Sequence, residues 1–321
     1  MSEGRILVIR GGAIGDFILT LPVFAALRRQ FPAVRLEVLG YPHIATLATS
    51  GGWAAAAQPI EARALAGFFA RKGDLSPELA AYFKEFHVIV SFLYDPDEIF
   101  RDNLARVTKA QIIQGPHRPN ESCPLHATDQ LLEALQRLAI FKADPVPRLK
   151  FKGQSSKAKA DRRCWFAVHP GSGSMSKNWP EASWGALLRR LLITTTEASL
   201  LLVGGEAEGE RLERLATELP PDRIELARSL PLTELAARFA GCTGFLGHDS
   251  GIAHLAAAVG LPGLVLWGPT NATVWRPRSE CFTIMLAPDG RLEDLPPEFV
   301  WSRLEPLLLK WQMEGVKPIE H

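Results

Sequence analysis

This sequence has almost no net charge. Its 36 Lys+Arg stand against 35 Asp+Glu over 321 residues, a formal +1. That balance leaves no electrostatic footprint for a nucleic-acid backbone and no acidic tail, so any basic patch has to be local. Cysteine is scarce as well. Cys123, Cys164, Cys242 and Cys281 lie far apart with no C-x-x-C pair, which argues against a zinc site or a dithiol motif and points to a reducing compartment. Long apolar runs are also missing. The most apolar window, Gly251 to Gly268, is interrupted by His254, Pro262 and several glycines, and it reads as helix, turn and strand rather than as a membrane span. The amino-terminal MSEGRILVIRGG reads as a strand and a turn, so no secretory leader is expected.

What is plentiful is apolar content, 47% of residues, enough for a large core in about two domains. Short β-rich runs alternate with helical patterns along nearly the whole chain, the signature of parallel sheets covered by helices. The first half offers strands at Ile6–Ile9, Val34–Leu39, His87–Phe92 and Ala110–Ile113, with helices over Asp16–Gln30, Asp97–Val107 and Ala127–Phe141. Residues 151–163, polar and basic without periodicity, read as a linker between a domain 1–150 and a domain 164–296. There the alternation restarts: strands at Cys164–Val168, Ser199–Val203, Ile224–Leu226, Gly244–Gly247 and Gly263–Trp267, helices over Trp179–Ile193, Glu206–Glu218 and Leu232–Ala240. The class is α/β with two Rossmann-like, doubly wound halves. Ligands of such sheets bind beyond the carboxyl ends of the strands, and three loops there carry unusual residues.

The first loop, RGGAIGDFILTLP from Arg10 to Pro22, has the glycines of a tight turn, Gly15 among them, at a helix mouth. A dinucleotide fingerprint is incomplete here: the spacing is G-G-x-x-G, and the acidic residue further on, Glu37, falls inside the second strand instead of at its end. Asp16 has two readings, a carboxylate complementing the helix dipole and a general base fixed at a strand end. The second loop, HPGSGSMSKNWP, offers Ser172, Ser174 and backbone donors with Lys177 and no acidic residue, a set suited to an anion; the bland alternative is a surface turn. The third, GHDSGIAHLAAAVG, places Asp249, Ser250 and Gly251 at a helix start with His254 about one turn in. Its amides suit a diphosphate, and Asp249 can accept from sugar hydroxyls. Glu206 or Glu208, after the next strand, could contact a ribose or merely open a helix. YDPDE, with Asp95 and Asp97, is a D-x-D that could hold a divalent metal or cap the helix behind it.

These three loops, in this order, resemble glycosyltransferase family 9, the lipopolysaccharide heptosyltransferases, over about residues 4–312. The resemblance implies a GT-B architecture: an amino-terminal acceptor domain, a carboxy-terminal nucleotide-sugar domain, a central cleft, and a last helix within 297–321 crossing back to the first domain. It implies inverting transfer of a sugar, heptose from ADP-heptose, to a lipopolysaccharide-core or related acceptor, with no resident cofactor and no metal at the reacting centre. Asp16 matches the family's base and Lys177 its phosphate lysine. Asp249, Ser250, Gly251 and His254 match its donor motif, with Ser172 and Ser174 beside the donor. The family's basic acceptor cluster is thin here, leaving Arg63 and Arg118 as candidate acceptor contacts among scattered Arg71, Lys72, Lys109 and His117. A lipid-linked acceptor implies work in the cytoplasm at the inner-membrane face, with peripheral membrane contact and no nucleic-acid partner. A nucleotide-sugar epimerase, a silent sugar-nucleotide binder and an NAD-dependent oxidoreductase stand as the alternatives.

Overall fold

The computed structural model describes residues 4–150, 164–205 and 208–314, which divide between Pro147 and Arg148 into two compact units. The expected linker 151–163, Glu206 and the terminal residues 315–321 lie outside the described residues. The boundary falls slightly before 150 because Leu149 is already tied to the second unit, its N–H donating to the Ala258 carbonyl at 2.8 Å.

The first unit is a five-stranded parallel sheet in the order β3-β2-β1-β4-β5. Its elements are β1 (Arg5–Arg10), α1 (Ile14–Gln30), β2 (Arg35–Gly40), α2 (Pro42–Ser50), β3 (Ala56–Pro59), α3 (Pro77–Lys84), β4 (Val88–Ser91), α4 (Ile99–Ala105), β5 (Gln111–Gln114) and α5 (Ala127–Leu132). β1 is central, pairing Ile6 with both Leu36 and Val88, which is why its apolar run shows no alternation: both faces are covered. On one of them Leu7, Ile9, Leu39 and Ile89 meet a group of phenylalanines, with Phe68 and Phe83 edge to face at 5.0 Å. The helix expected over Ala127–Phe141 is α-helical only to Leu132. It tightens to 3₁₀ over Glu133–Leu138 and stops at Ala139, whose φ is +58°.

The second unit is a six-stranded parallel sheet in the order β11-β10-β9-β6-β7-β8. It comprises β6 (Cys164–His169), α6 (Glu181–Thr194), β7 (Ala198–Gly204), α7 (Gly209–Thr217), β8 (Ile224–Arg228), α8 (Leu232–Phe239), β9 (Gly244–His248), α9 (Gly251–Ala258), β10 (Gly263–Trp267), α10 (Ala272–Trp275), β11 (Phe282–Leu286) and α11 (Pro297–Glu314). The sequence order reverses between the neighbours β6 and β9, so the loops behind these two strands flank a topological switch point.

The last helix, α11, packs into the second unit's core through Val300, Trp301, Leu304, Leu308 and Trp311, a helical stripe facing that sheet and its helices. The Arg190 guanidinium of α6 lies 4.7 Å from the Trp301 ring centre. Trp311 covers Gly244 of β9 so closely that a Cβ there would come within 2.3 Å of the indole. Only glycine leaves room for that ring, and the indole makes this helix part of the second unit's core.

Candidate active site

In the first unit, Gly12 takes the left-handed φ of +98° that L-residues avoid, which turns the chain from β1 into α1 within a few residues. Asp16 lands in the first turn of α1, where its Oδ2 accepts the Ala13 N–H at 3.0 Å. That satisfies one orphan donor of the helix start, so the structural reading of Asp16 holds. It does not exhaust the residue. Oδ1 faces the Arg10 guanidinium at 3.4 Å, and the side chain keeps 29% of its surface exposed while Arg10 is almost wholly buried. Arg10 is fixed in turn by the carbonyls of His117, at 2.8 Å, and Phe92. Burial lowers the pKa of Arg10, with the Asp16 carboxylate opposing that shift. The result is a half-exposed carboxylate held in one geometry by a buried cation at a strand end. Sequence reasoning misses Arg10; the one signal for it is a charge closing the apolar run ILVI.

In the second unit the predicted loops converge on the ends of β6, β7 and β9. Lys177, in a 3₁₀ turn over Met175–Lys177, sets its Nζ 2.6 Å from Asp249 Oδ2. Ser250 is the N-cap of α9, its Oγ accepting the Ala253 N–H at 3.3 Å, so Ser250 and not Asp249 does the capping. Gly251 is the first residue of that helix, and His254 lies buried one turn along it. Ser172 is buried and ties its loop together, with Oγ 2.8 Å from the Ser174 carbonyl and 2.9 Å from Asn178 Oδ1. Ser174 Oγ faces Ser176 Oγ at 3.0 Å. Glu208 accepts the Gly205 N–H at 2.9 Å, and its side chain packs against Gly171, so the loop after β7 touches the loop after β6. Arg211 reinforces the contact by donating to the Pro170 carbonyl at 3.2 Å.

Two histidines lie beneath these loops, and neither stands out as a site residue in the sequence. His248 Nε2 accepts the Trp179 N–H at 2.9 Å, and His169 Nδ1 faces Ser250 Oγ at 3.2 Å. Burial drives His169 down to about 4. The same cause takes His248 down to about 3, with His169 and Arg211 adding to the fall and the Gly171 backbone opposing it. Both rings are therefore neutral at pH 7.

The remaining candidates fall outside this constellation. Asp95 accepts the N–H groups of Phe100 and Arg101 at 3.1 and 2.9 Å, the capping alternative for D-x-D, while Asp97 pairs with Arg71 at the surface. Among the described residues no group of three or more His, Cys, Asp or Glu could hold a metal ion. Arg118 pairs with Glu121, and Arg63 is exposed at the start of a 3₁₀ turn, so each is a surface arginine, unlike the buried Arg10 that Asp16 faces. Gly15 lies in the first turn of α1, next to Asp16.

Comparison with known proteins decides what this arrangement belongs to. The family model for glycosyltransferase family 9 (heptosyltransferase) matches residues 130–296, just over half of the chain and every strand of the second unit's sheet. The chain belongs to glycosyltransferase family 9. It is 29% identical over 211 residues to lipooligosaccharide heptosyltransferase 2 of Haemophilus influenzae, covering 55% of this chain and 61% of that relative. To lipopolysaccharide heptosyltransferase 3 of Escherichia coli it is 23% identical over 306 residues, covering 86% and 87%. The fold matches a family 9 glycosyltransferase of Veillonella parvula with a TM-score of 0.78 at 17% identity, covering 96% and 97% of the two chains. It matches the E. coli ADP-heptose heptosyltransferase II at 0.77 and 18%, covering 96% and 99%. These likenesses establish the GT-B fold for the family 9 chain. The matched segment contains Lys177 and the Asp249–His254 helix start, whereas Asp16 precedes it.

Proposed function

We propose that this family 9 chain is an inverting glycosyltransferase that moves a heptose from an ADP-linked donor to a lipopolysaccharide-core or related glycan acceptor. The observation that carries the reading is the Lys177–Asp249 pair beside the capped amino terminus of α9, at the switch point of the second sheet. An ammonium, the first amides of a helix and a loop of small residues are what a diphosphate needs. Relatives solved with ADP and with an ADP-heptose analogue support an adenine-linked donor, as do the heptosyltransferase names of the relatives.

In this reading Asp16 accepts the proton of the acceptor hydroxyl as its oxygen attacks the anomeric carbon from the face opposite the diphosphate. The carbon–phosphate oxygen bond breaks, and the charge that grows on the leaving diphosphate is met by Lys177 and the amides at Gly251. Arg10 keeps Asp16 in one orientation, while Glu208 and Asp249 are the carboxylates available to donor hydroxyls. No step is routed through a metal or a resident cofactor. A lipid-linked acceptor would bring the enzyme to the cytoplasmic face of the inner membrane; no described helix is long and apolar enough to cross it.

Calorimetric titration of ADP, UDP, GDP, CMP and NAD against wild type and Lys177→Ala tests the donor half. Selective ADP binding that the substitution weakens supports the reading, and an ADP-heptose transfer assay with Asp16→Asn as control then tests the reaction. A preference for NAD, or no nucleotide binding, overturns it.

A further inference from the structure

The two buried histidines stand in a crossed relation. His169 ends β6, yet its Nδ1 meets Ser250, in the segment after β9; His248 ends β9, yet its Nε2 takes the N–H of Trp179, in the segment after β6. β6 and β9 are adjacent parallel strands, with His169 in register with Gly247. Each strand end therefore grips the loop of its neighbour. What lies between the grips is the candidate donor site: Lys177 is two residues before Trp179, Asp249 directly follows His248, and Ser250 caps the helix whose first amides face the same region.

Both contacts are set in rigid surroundings. His248 is fully buried, its ring edge-to-face with Trp184 at 5.2 Å. Trp179 is held a second time, its indole N–H donating to the Leu295 carbonyl at 2.9 Å. Because Nε2 of His248 accepts, the neutral ring carries its proton on Nδ1. Ser250 already accepts the Ala253 N–H through Oγ, so its hydroxyl proton is free to go to His169 Nδ1. A carboxamide could supply either acceptor atom, and a hydrocarbon of equal bulk could supply neither.

We propose that His169 and His248 are positioning residues forming a crossed brace, which holds Lys177, Asp249 and the first amides of α9 in one constellation before the nucleotide diphosphate arrives. The inference rests on the donor-site reading above. It explains the histidines of the H-P-G turn and of the His-Asp-Ser run together, since each is an acceptor that must stay unprotonated to hold its loop.

Two readouts separate the brace from the donor reading: hydrogen exchange of residues 170–180 and 249–258 in the ligand-free enzyme, and ADP affinity by calorimetry. In His248→Leu, exchange at 170–180 speeds and ADP affinity falls, each by about tenfold, the worth of one buried hydrogen bond. In His248→Gln, whose Oε1 can stand where Nε2 stood, both return to within about threefold of wild type, well inside the effect of that bond. His169→Leu and His169→Asn give the matching pair at 249–258, and they decide the question if His248→Leu does not fold. Unchanged exchange in the leucine variants, or no rescue by the carboxamides, overturns the brace. Wild type that fails to bind ADP overturns the donor reading, and the exchange pattern then judges the brace alone.

Discussion

Lys177 and Asp249 lie 72 residues apart in sequence and 2.6 Å apart in space, with Asp249 nearly buried and Lys177 about a third exposed. The pair places a positive charge at the mouth of α9 and a carboxylate directly behind it. One oxygen of Asp249 is thereby engaged, which leaves the other for the sugar-hydroxyl role read from the sequence.

Removing the ammonium removes the charge proposed to stabilise the leaving diphosphate. Lys177→Ala is expected to lower kcat by roughly 100-fold or more, measured with ADP-heptose and acceptor. Asp249→Asn leaves the lysine in place without its counterion, so donor affinity falls by about tenfold and kcat less. In the double variant the losses do not add, because both substitutions break one interaction. Additive losses would mean that the pair is incidental.

Asp16 and Gly12 depend on each other. A Cβ at Gly12 would lie 2.9 Å from Asp16 Oδ2, and the residue's φ of +98° is one that alanine adopts only under strain. Gly12→Ala is therefore expected to cost about 1–2 kcal/mol of stability and to displace the carboxylate. Asp16→Asn keeps the volume and removes the base, lowering kcat by about 100-fold or more with ADP affinity unchanged. Steady-state kinetics beside calorimetry read both outcomes. An Asp16→Asn enzyme with normal kcat would return Asp16 to a helix-start carboxylate and nothing more.

The histidines make stability depend on pH in a stated direction. Each has a folded-state pKa below the unfolded value of 6.5, so between that value and about 4 for His169, or about 3 for His248, the unfolded chain binds protons that the folded chain refuses. Their contribution is fully present above pH 6.5 and is lost as the pH falls below it. The slope is about 1.4 kcal/mol per pH unit for each histidine. Urea unfolding at about pH 7 and about pH 5 should show a loss of a few kcal/mol, and His248→Gln should remove about half of it. A flat profile would show that these rings are not buried neutral groups.

Much of the fold is legible in the sequence because parallel strands buried on both faces must read as continuous apolar runs, and Ile6–Ile9 and Gly263–Trp267 do. The loops at their carboxyl ends stand out through glycine, serine and single charges, which is what marks Lys177, Asp249 and Ser250 as candidates. Elements that satisfy themselves by tertiary contact leave no such mark. β3, AAQP, carries no β-branched residue and pairs only as an edge of β2. Arg10 and His248 are silent in the sequence for a related reason. Each ends a buried strand, and its role comes from a segment far along the chain, the His117 carbonyl in one case and the Trp179 N–H in the other. No local pattern records such a partner.

The course of α11 is hidden on the same ground, since an amphipathic stripe states that a helix is covered without stating by what. Its packing onto β9 leads to a definite expectation. Trp311→Ala removes an indole that is 4% exposed and should destabilise the protein by about 3–5 kcal/mol. Gly244→Ala in the wild-type background forces a methyl into that indole and costs about 1–3 kcal/mol. Placed together, the two changes should largely compensate, because the methyl then occupies space the indole has vacated. Chemical denaturation of the four proteins closes this cycle. Hydrogen exchange in Trp311→Ala locates the effect, with loss of protection at β9 and α6 and none at β1 or α1. Loss centred on β1 and α1 would remove α11 from the second unit's core.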